Sequence, residues 1–275
     1  MGILERFLGK TRSGRERASE PARPPEESSP ETEPLDEVAA LLVARWPLAQ
    51  RREYARYGRD AREAALALEE GRFAEARRAF EALVADADEP CFLFRDLGRA
   101  RLASGDATAA EEALRAFLAR APAELPADLR LETHLDLVRV AGERGDVEAA
   151  LEELGAAIDA LPDDPRPYFL MGQYLARTGH PAEALDVLRS ATTVAGGEPS
   201  SEVLEEVGQC QLALGRWREA EVALAEVVRR AKCRCGARVP EATARALASI
   251  YELTGRDAEA RELLAGVGRS SCGTH

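Results

Sequence analysis

From Asp36 almost to the C-terminus, apolar residues recur every three or four positions, which is the spacing of one face of an amphipathic helix. Within this part, a glycine followed five residues later by an alanine recurs six times in the same sequence setting, at intervals of 34 to 40 residues. The six pairs are Gly71–Ala76, Gly105–Ala110, Gly145–Ala150, Gly179–Ala184, Gly215–Ala220 and Gly255–Ala260. Successive glycines are 34, 40, 34, 36 and 40 residues apart. A period of this length predicts a stack of about six helical hairpins.

Each part of the repeated unit has a physical role. Glycine adopts the left-handed conformation that ends a helix at little cost, so it is expected to close the first helix. The alanine lets the two helices of a hairpin approach closely, and a bulky residue four positions later lies on the same face. The bulky residues are Phe80, Leu114, Leu154, Leu188, Leu224 and Leu264. Pro90, Pro122 and Pro162 are expected to stop second helices, because proline cannot continue the hydrogen-bond ladder.

The unit resembles the tetratricopeptide repeat (TPR) family over about residues 53–267. The two units that match best contain Phe94, Leu97, Gly98, Gly105, Ala110, Leu114 and Pro122, and then Tyr168, Met171, Gly172, Gly179, Ala184 and Leu188. The resemblance implies an all-α, right-handed α-solenoid that binds a protein or peptide segment in a concave groove. The first and last units match weakly, as expected of capping repeats. Residues 36–51 are predicted to add one capping helix, with Trp46 packed at its end.

Four segments are predicted along the chain. Residues 1–10 form a short amphipathic segment, and residues 11–34 a disordered linker rich in Pro, Glu and Ser. Residues 35–268 form the solenoid, and residues 269–275 a tail. The first segment is too short for firm membrane attachment, and docking on a partner, on a membrane surface or in the chain's own groove are open alternatives.

Composition and charge narrow the function. Aromatic residues make up only 5% of the 275 residues, which favours helices over sheet. The formal net charge of −12 disfavours nucleic acid as a partner, because phosphate binding requires accumulated Lys and Arg. No apolar run approaches the roughly 20 residues that span a bilayer. Glu5 and Arg6 lie where a secretory signal would be apolar, so a cytoplasmic location is expected.

Catalytic chemistry has little support in the sequence. The three histidines are His134, at a first-helix packing position, His180, at a turn, and the terminal His275. No phosphate-binding glycine loop, Ser/His/Asp arrangement or HExxH motif is present. We therefore expect no enzymatic activity and no organic cofactor.

One cluster of metal-binding residue types lies near the C-terminus. Cys233 and Cys235 precede the last hairpin, and Cys272 and His275 follow it. An antiparallel hairpin brings its two ends together, and three thiolates with one imidazole suit tetrahedral zinc. In the alternative interpretation, the cysteines lie in a loop and a tail that bind no metal. One residue between two cysteines, as in CxC, holds the two thiolates closer together than the two residues of CxxC do.

The family resemblance also implies which residues line the groove. Transferred to the second, third, fourth and fifth units, its first-helix positions are Phe92, Arg95, Arg99 and Leu102; Glu132, Leu135, Arg139 and Gly142; Arg166, Phe169, Gln173 and Ala176; and Glu202, Glu205, Gln209 and Leu212. Arginine binds carboxylates through two hydrogen bonds, and aromatic rings supply contact area. The predicted groove residues are Phe92, Arg95, Arg99, Arg139, Arg166, Phe169 and Gln173.

These observations predict a non-catalytic scaffold whose groove, over units two to four, favours an acidic or C-terminal peptide segment. In the alternative interpretation of the groove, the arginines simply pair with neighbouring Glu and Asp side chains. The alternative function is a membrane-proximal assembly or regulatory factor, attached through residues 1–10 and stabilised by the C-terminal zinc site.

Overall fold

A computed structural model describes residues 37–233 and 239–267, and its regular elements in these ranges are all α-helices. In chain order they are α1 (Glu37–Arg45), α2 (Leu48–Arg56), α3 (Gly58–Glu69), α4 (Phe73–Asp86), α5 (Phe92–Ala103), α6 (Ala107–Arg120), α7 (Ala127–Glu143), α8 (Val147–Ala160), α9 (Pro165–Arg177), α10 (Pro181–Val194), α11 (Ser201–Ala213), α12 (Trp217–Cys233), α13 (Glu241–Leu253) and α14 (Asp257–Gly266). The predicted segments 1–10, 11–34 and 269–275 lie outside the described residues.

The helices from α3 to α14 form six consecutive hairpins, as the repeat predicts. Each first helix packs against its own second helix, and from α5 onward each also packs against the second helix of the preceding hairpin. The fold is therefore an all-α, TPR-like solenoid. Helices α7 and α12 have 17 residues each, compared with 10 to 14 in the other hairpin helices, and the extra length accounts for most of the first 40-residue spacing and part of the second.

The turn glycines have the predicted conformation. Gly71, Gly105, Gly145, Gly179, Gly215 and Gly255 all have positive φ, between 69° and 89°. At the second turn, the backbone N–H groups of Gly105 and Asp106 donate to the carbonyls of Leu102 and Arg101, at 3.0 and 2.9 Å. This double hydrogen bond satisfies carbonyls at the helix end that would otherwise have no partner.

The core follows the repeat. The six repeat alanines are buried, and so are the bulky residues of the first five units. Leu264 differs, being 39% exposed, because the structure describes no hairpin after α14 to cover it. Within the described residues the apolar core divides into four clusters along the stack.

The N-terminal cap differs from the prediction of one helix over residues 36–51. The structure has two short helices, α1 and α2, separated at Trp46 and Pro47. Proline lacks the N–H that would extend α1 and disfavours a helical conformation in the preceding residue. Trp46 is buried at this break and packs edge-on against Tyr54, with ring centroids 4.7 Å apart.

A carboxylate from the cap fixes α2 to the second hairpin. The buried Glu53 accepts hydrogen bonds from the backbone N–H groups of Cys91, Phe92 and Leu93, at 2.9 to 3.0 Å. These are free donors at the start of α5, where the helix dipole also favours a negative charge. Glu53 thus supplies the N-cap that Cys91 does not provide locally.

Candidate functional site

The predicted groove residues lie on helices that neighbour each other across hairpins. Besides its own partner, α5 contacts α3 and α7, and α9 contacts α11. We call the surface formed by α3, α5, α7, α9 and α11 the first-helix face. The family-derived positions thus lie on two groups of contacting first helices, one with α3, α5 and α7 and one with α9 and α11.

A cleft of about 430 Å³ opens at the N-terminal end of this face, and we call it the N-terminal cleft. The cap helices α1 and α2 form one side, and α3, α5 and the start of α7 form the other. Its apolar lining includes Leu42, Trp46 and Leu129. Its polar lining includes Arg95 and Arg99, two of the predicted groove residues.

Arg95 is buried, with 5% of its surface exposed, and belongs to a polar network. Its guanidinium donates to Asp96 at 3.3 Å and to Glu132 of α7 at 2.6 Å. Asp96 also accepts from the hydroxyl of Tyr54 at 2.5 Å and from Gln50 at 3.2 Å. The network therefore ties the cap to α5 and α7, and burial together with the Asp96 charge raises the pKa of Tyr54 well above its ordinary value.

One donor of this network is not satisfied. Arg95 Nε is buried and finds no acceptor among the described residues. A buried donor without an acceptor costs about 1–3 kcal/mol, so native structures rarely keep one without a compensating role. Arg95 lines the N-terminal cleft, but its Nε atom has almost no accessible surface.

Arg99 lies farther from its carboxylate neighbours than Arg95 does from Glu132. Its side chain is 33% exposed, and its guanidinium lies 3.6 Å from both Glu69 and Asp96. Those separations are longer than a hydrogen bond. Burial alone would lower the pKa of Arg99, but the surrounding carboxylates outweigh it and hold that pKa above its ordinary value. Arg99 therefore stays charged and keeps donors for a closer ligand.

The remaining predicted residues have different environments. Phe92 is 2% exposed and packs against Phe117, with ring centroids 5.5 Å apart, so it belongs to the core and offers no surface to a ligand. Arg139 is 65% exposed and pairs with Asp136 at 3.2 Å. Arg166 pairs with Asp128 and Asp164, and Gln173 donates to Glu206. Each predicted arginine thus has a carboxylate neighbour, as the alternative interpretation described.

A second cleft, of about 520 Å³, lies where the fourth and fifth hairpins meet. The half-buried Phe169 lines it together with Val203, Pro165 and Pro199. Arg166 lies at the same cleft. The structure thus brings Arg166 and Phe169 together, but separates them from Arg95 and Arg99.

Other candidate chemistry is limited. Among the described side chains no group of three His, Cys, Asp or Glu is arranged to hold a metal. The predicted zinc ligands are not part of that set, because the side chain of Cys233 and all of Cys235, Cys272 and His275 lie outside the described residues. Burial raises the pKa of the Cys91 and Cys210 thiols to about 11, so both stay protonated and unreactive at neutral pH.

The first-helix face contains buried carboxylates that were not predicted from the sequence. Asp96 and Asp136 each lie nine residues before a turn glycine and are buried at the same level of successive hairpins. Burial raises the pKa of Asp136, although Arg99, Arg95 and Arg139 partly offset the rise. The shared position in the repeat was the available signal, and it was hidden among many surface carboxylates.

Comparison with known proteins agrees with this fold. Residues 135–199 match the family model described as tetratricopeptide repeat. The C-terminal part of a TPR repeat-containing protein from Cytophaga hutchinsonii superposes with a TM-score of 0.58 at 14% identity, covering 74% of this chain and 77% of that one. The predicted resemblance is confirmed: these residues are tetratricopeptide repeats, and the described chain has the TPR fold.

Two further solved structures are similar at lower scores. MamA from Desulfovibrio magneticus has a TM-score of 0.48 at 13% identity, covering 63% of this chain and 90% of that one. PilF from Pseudomonas aeruginosa has a TM-score of 0.47 at 21% identity, covering 64% and 76%. No curated protein matches the sequence. Among the described helices, none combines the length and apolar character needed to cross a membrane.

Proposed function

We propose that this protein is a non-catalytic scaffold that binds a segment of another protein on its first-helix face, with the N-terminal cleft as the main contact. The observation that carries the proposal is the partly exposed guanidinium of Arg99 in the wall of that cleft, 3.6 Å from its nearest carboxylates. A bound carboxylate can approach it more closely, while Trp46, Leu42 and Leu129 would receive an apolar side chain.

The proposed segment carries an acidic side chain that binds Arg99. The present neighbours of Arg99 lie at 3.6 Å, so a ligand carboxylate can form shorter, two-pronged hydrogen bonds without displacing an existing one. Arg139 and Arg166 are exposed enough to extend the contact along α7 and α9, but each already has a carboxylate partner. We therefore expect them to contribute less than Arg99.

The test is co-purification from native host lysate, comparing the wild type with Arg99→Glu. Arg189→Glu is the matched control, because Arg189 is an exposed arginine on α10, away from the cleft, and also pairs with an aspartate. Arg95 is left intact, since a buried charge reversal beside Asp96 would perturb folding. We expect a discrete partner that Arg189→Glu retains and that binds Arg99→Glu at least tenfold more weakly. Equal recovery with both variants would remove the proposal.

A further inference from the structure

A groove runs between α3 and α4, and we call it the end groove. It shares no lining residue with the N-terminal cleft. It has a volume of about 470 Å³ and is lined by α3, α4 and Tyr57, which precedes α3. Its floor is made of small or aliphatic side chains, among them Ala64, Ala67, Ala79 and Leu83. Ala79 and Leu83 are only half-buried, whereas Ala113 and Phe117, at the same positions of the second hairpin, are buried.

The repeat shows what covers this side of an internal hairpin. Arg101 occupies the position of Ala67, four residues before the turn glycine, and its guanidinium reaches Glu81 of α4 at 3.4 Å. Glu153 occupies the position of Ala79, eight residues after the turn glycine, and accepts from Arg115 of α6 at 2.7 Å. In both hairpins the contact comes from the second helix of the preceding unit. The natural occupant of this side is therefore an α-helix.

The first hairpin has no such helix among the described residues. The cap helices take a different position, with α1 and α2 against α3 and α2 also against α5. The end groove thus has the shape of a helix-binding surface whose helix is not supplied by the described part of the chain.

Charge defines which helix fits. The rim of the end groove carries Asp60, Glu63, Glu75 and Asp86, and no Lys or Arg lines it. Arg59 pairs with Glu63 and Arg72 with Glu75, while Asp60 and Asp86 form no ion pair within the described residues. Opposite charges at the edges of a helix-binding groove select a partner and fix its orientation.

A second copy of this chain does not meet that requirement. Head-to-tail stacking would place α14, the last second helix among the described residues, in the end groove. That helix carries three carboxylates, from Asp257, Glu259 and Glu262, against the single guanidinium of Arg261. Its net charge therefore has the same sign as the rim of the end groove, which disfavours open-ended stacking of copies.

We propose that the end groove binds an amphipathic α-helix of a partner protein, with an apolar face on the alanine floor and Arg or Lys side chains over Asp60 and Asp86. The bound helix continues the solenoid at its N-terminal end, in the place that the second helix of a preceding unit takes elsewhere in the stack. This surface is separate from the N-terminal cleft, so either proposal can fail without the other.

The test is fluorescence anisotropy with the full chain and a labelled 18-residue helical peptide. The probe has leucines at helical spacing on one face and arginines on both flanks. One comparison peptide has glutamate at every arginine, and another has the probe's composition in scrambled order. We expect the probe to bind at least tenfold more tightly than either comparison peptide, and binding to weaken as salt is raised.

The double variant Asp60→Arg/Asp86→Arg is expected to weaken probe binding at least tenfold. Ala82→Arg, on the exposed edge of the end groove, should weaken binding to the same extent without altering those carboxylates. Glu152→Arg/Glu219→Arg is the matched control, because both residues are exposed on other second helices, and it should leave the Kd unchanged. Circular dichroism checks that every variant is folded.

Unchanged binding by folded groove variants, or equal binding of the scrambled peptide, would overturn the proposal. Self-association abolished by Asp60→Arg/Asp86→Arg would assign the groove to a second copy and overturn it too.

Discussion

At the residue scale, three pairs of helices approach each other closely at a glycine. Gly98, Gly172 and Gly208 each lie seven residues before a turn glycine. A Cβ built at any of them would approach the leucine of the facing second helix to between 2.5 and 2.7 Å. The absent side chain is thus a packing requirement, because the leucine is fully buried and has little room to move.

We expect Gly208→Ala to destabilise the protein by about 1–3 kcal/mol, since the added methyl group would overlap Leu224. Gly155→Ala is the control, because Gly155 lies inside α8 with no atom within 4 Å of the added carbon. That control should stabilise by about 0.5–1 kcal/mol through better helix propensity. Urea denaturation measures both values. If the two variants shifted stability in the same direction, the packing argument at Gly208 would be wrong.

The hairpin turns and the close contacts at the repeat alanines could be predicted from the sequence, because one residue determines each of them. A turn that needs positive φ requires glycine at Gly105, and a close helix contact requires alanine at Ala110, so both roles follow from residue type and spacing. The environment of Arg95 could not be deduced in this way. Arg95 donates to Glu132 of α7, and its neighbour Asp96 accepts from Tyr54 of α2. These residues are far apart in sequence, and only the packing of three helices brings them together.

At the element scale, ion pairs connect helices that belong to different hairpins. Glu153 of α8 bonds His134 of α7 at 3.3 Å and Arg115 of α6 at 2.7 Å. The hydrogen bond to His134 lowers the pKa of Glu153 below its ordinary value of 4.5, and Arg115 adds to the effect. The bond links the paired helices α7 and α8 through His134.

That shift predicts a pH dependence. Because the pKa of Glu153 is lower in the folded than in the unfolded chain, its stabilising contribution is complete above about pH 4.5 and is lost as the pH falls through the folded value. We expect Glu153→Gln to flatten the decline in unfolding free energy as the pH falls below about 4.5. The exposed neighbour Glu152→Gln is the control and should keep the wild-type slope. A slope unchanged by Glu153→Gln would show that this network does not couple folding to protons.

Contacts between elements also explain why the two-helix cap and the N-terminal cleft were not predicted from the sequence. Pro47 is visible in the sequence, and the break between α1 and α2 follows from it, but the position of α2 does not. That position depends on Glu53 reaching the start of α5, a contact across about 40 residues. The N-terminal cleft exists because of that docking, so it could not be derived from the repeat alone.

At the scale of the whole molecule, the described core is a row of clusters instead of one centre. The first unites α3 to α6 with the cap through residues such as Phe80 and Phe117, and another unites α9 to α11 around Leu188. The two clusters share no residue. In stacked repeats each unit contacts mainly its neighbours, so stability is roughly a sum of local terms.

This organisation predicts local responses to core mutations. Leu188→Ala removes a fully buried side chain and should cost about 2–5 kcal/mol. Native-state hydrogen exchange should then quicken in α9 to α11 while α3 to α6 keep wild-type protection, because opening of one part does not require opening of the other. Phe80→Ala is the reciprocal variant, and it should quicken exchange in α3 to α6 only. Uniform loss of protection from either variant would mean that the six hairpins unfold as a single cooperative unit. If opening is local, a ligand bound in the N-terminal cleft should slow hydrogen exchange mainly in the first three hairpins. The same exchange measurement can compare its effect along the stack.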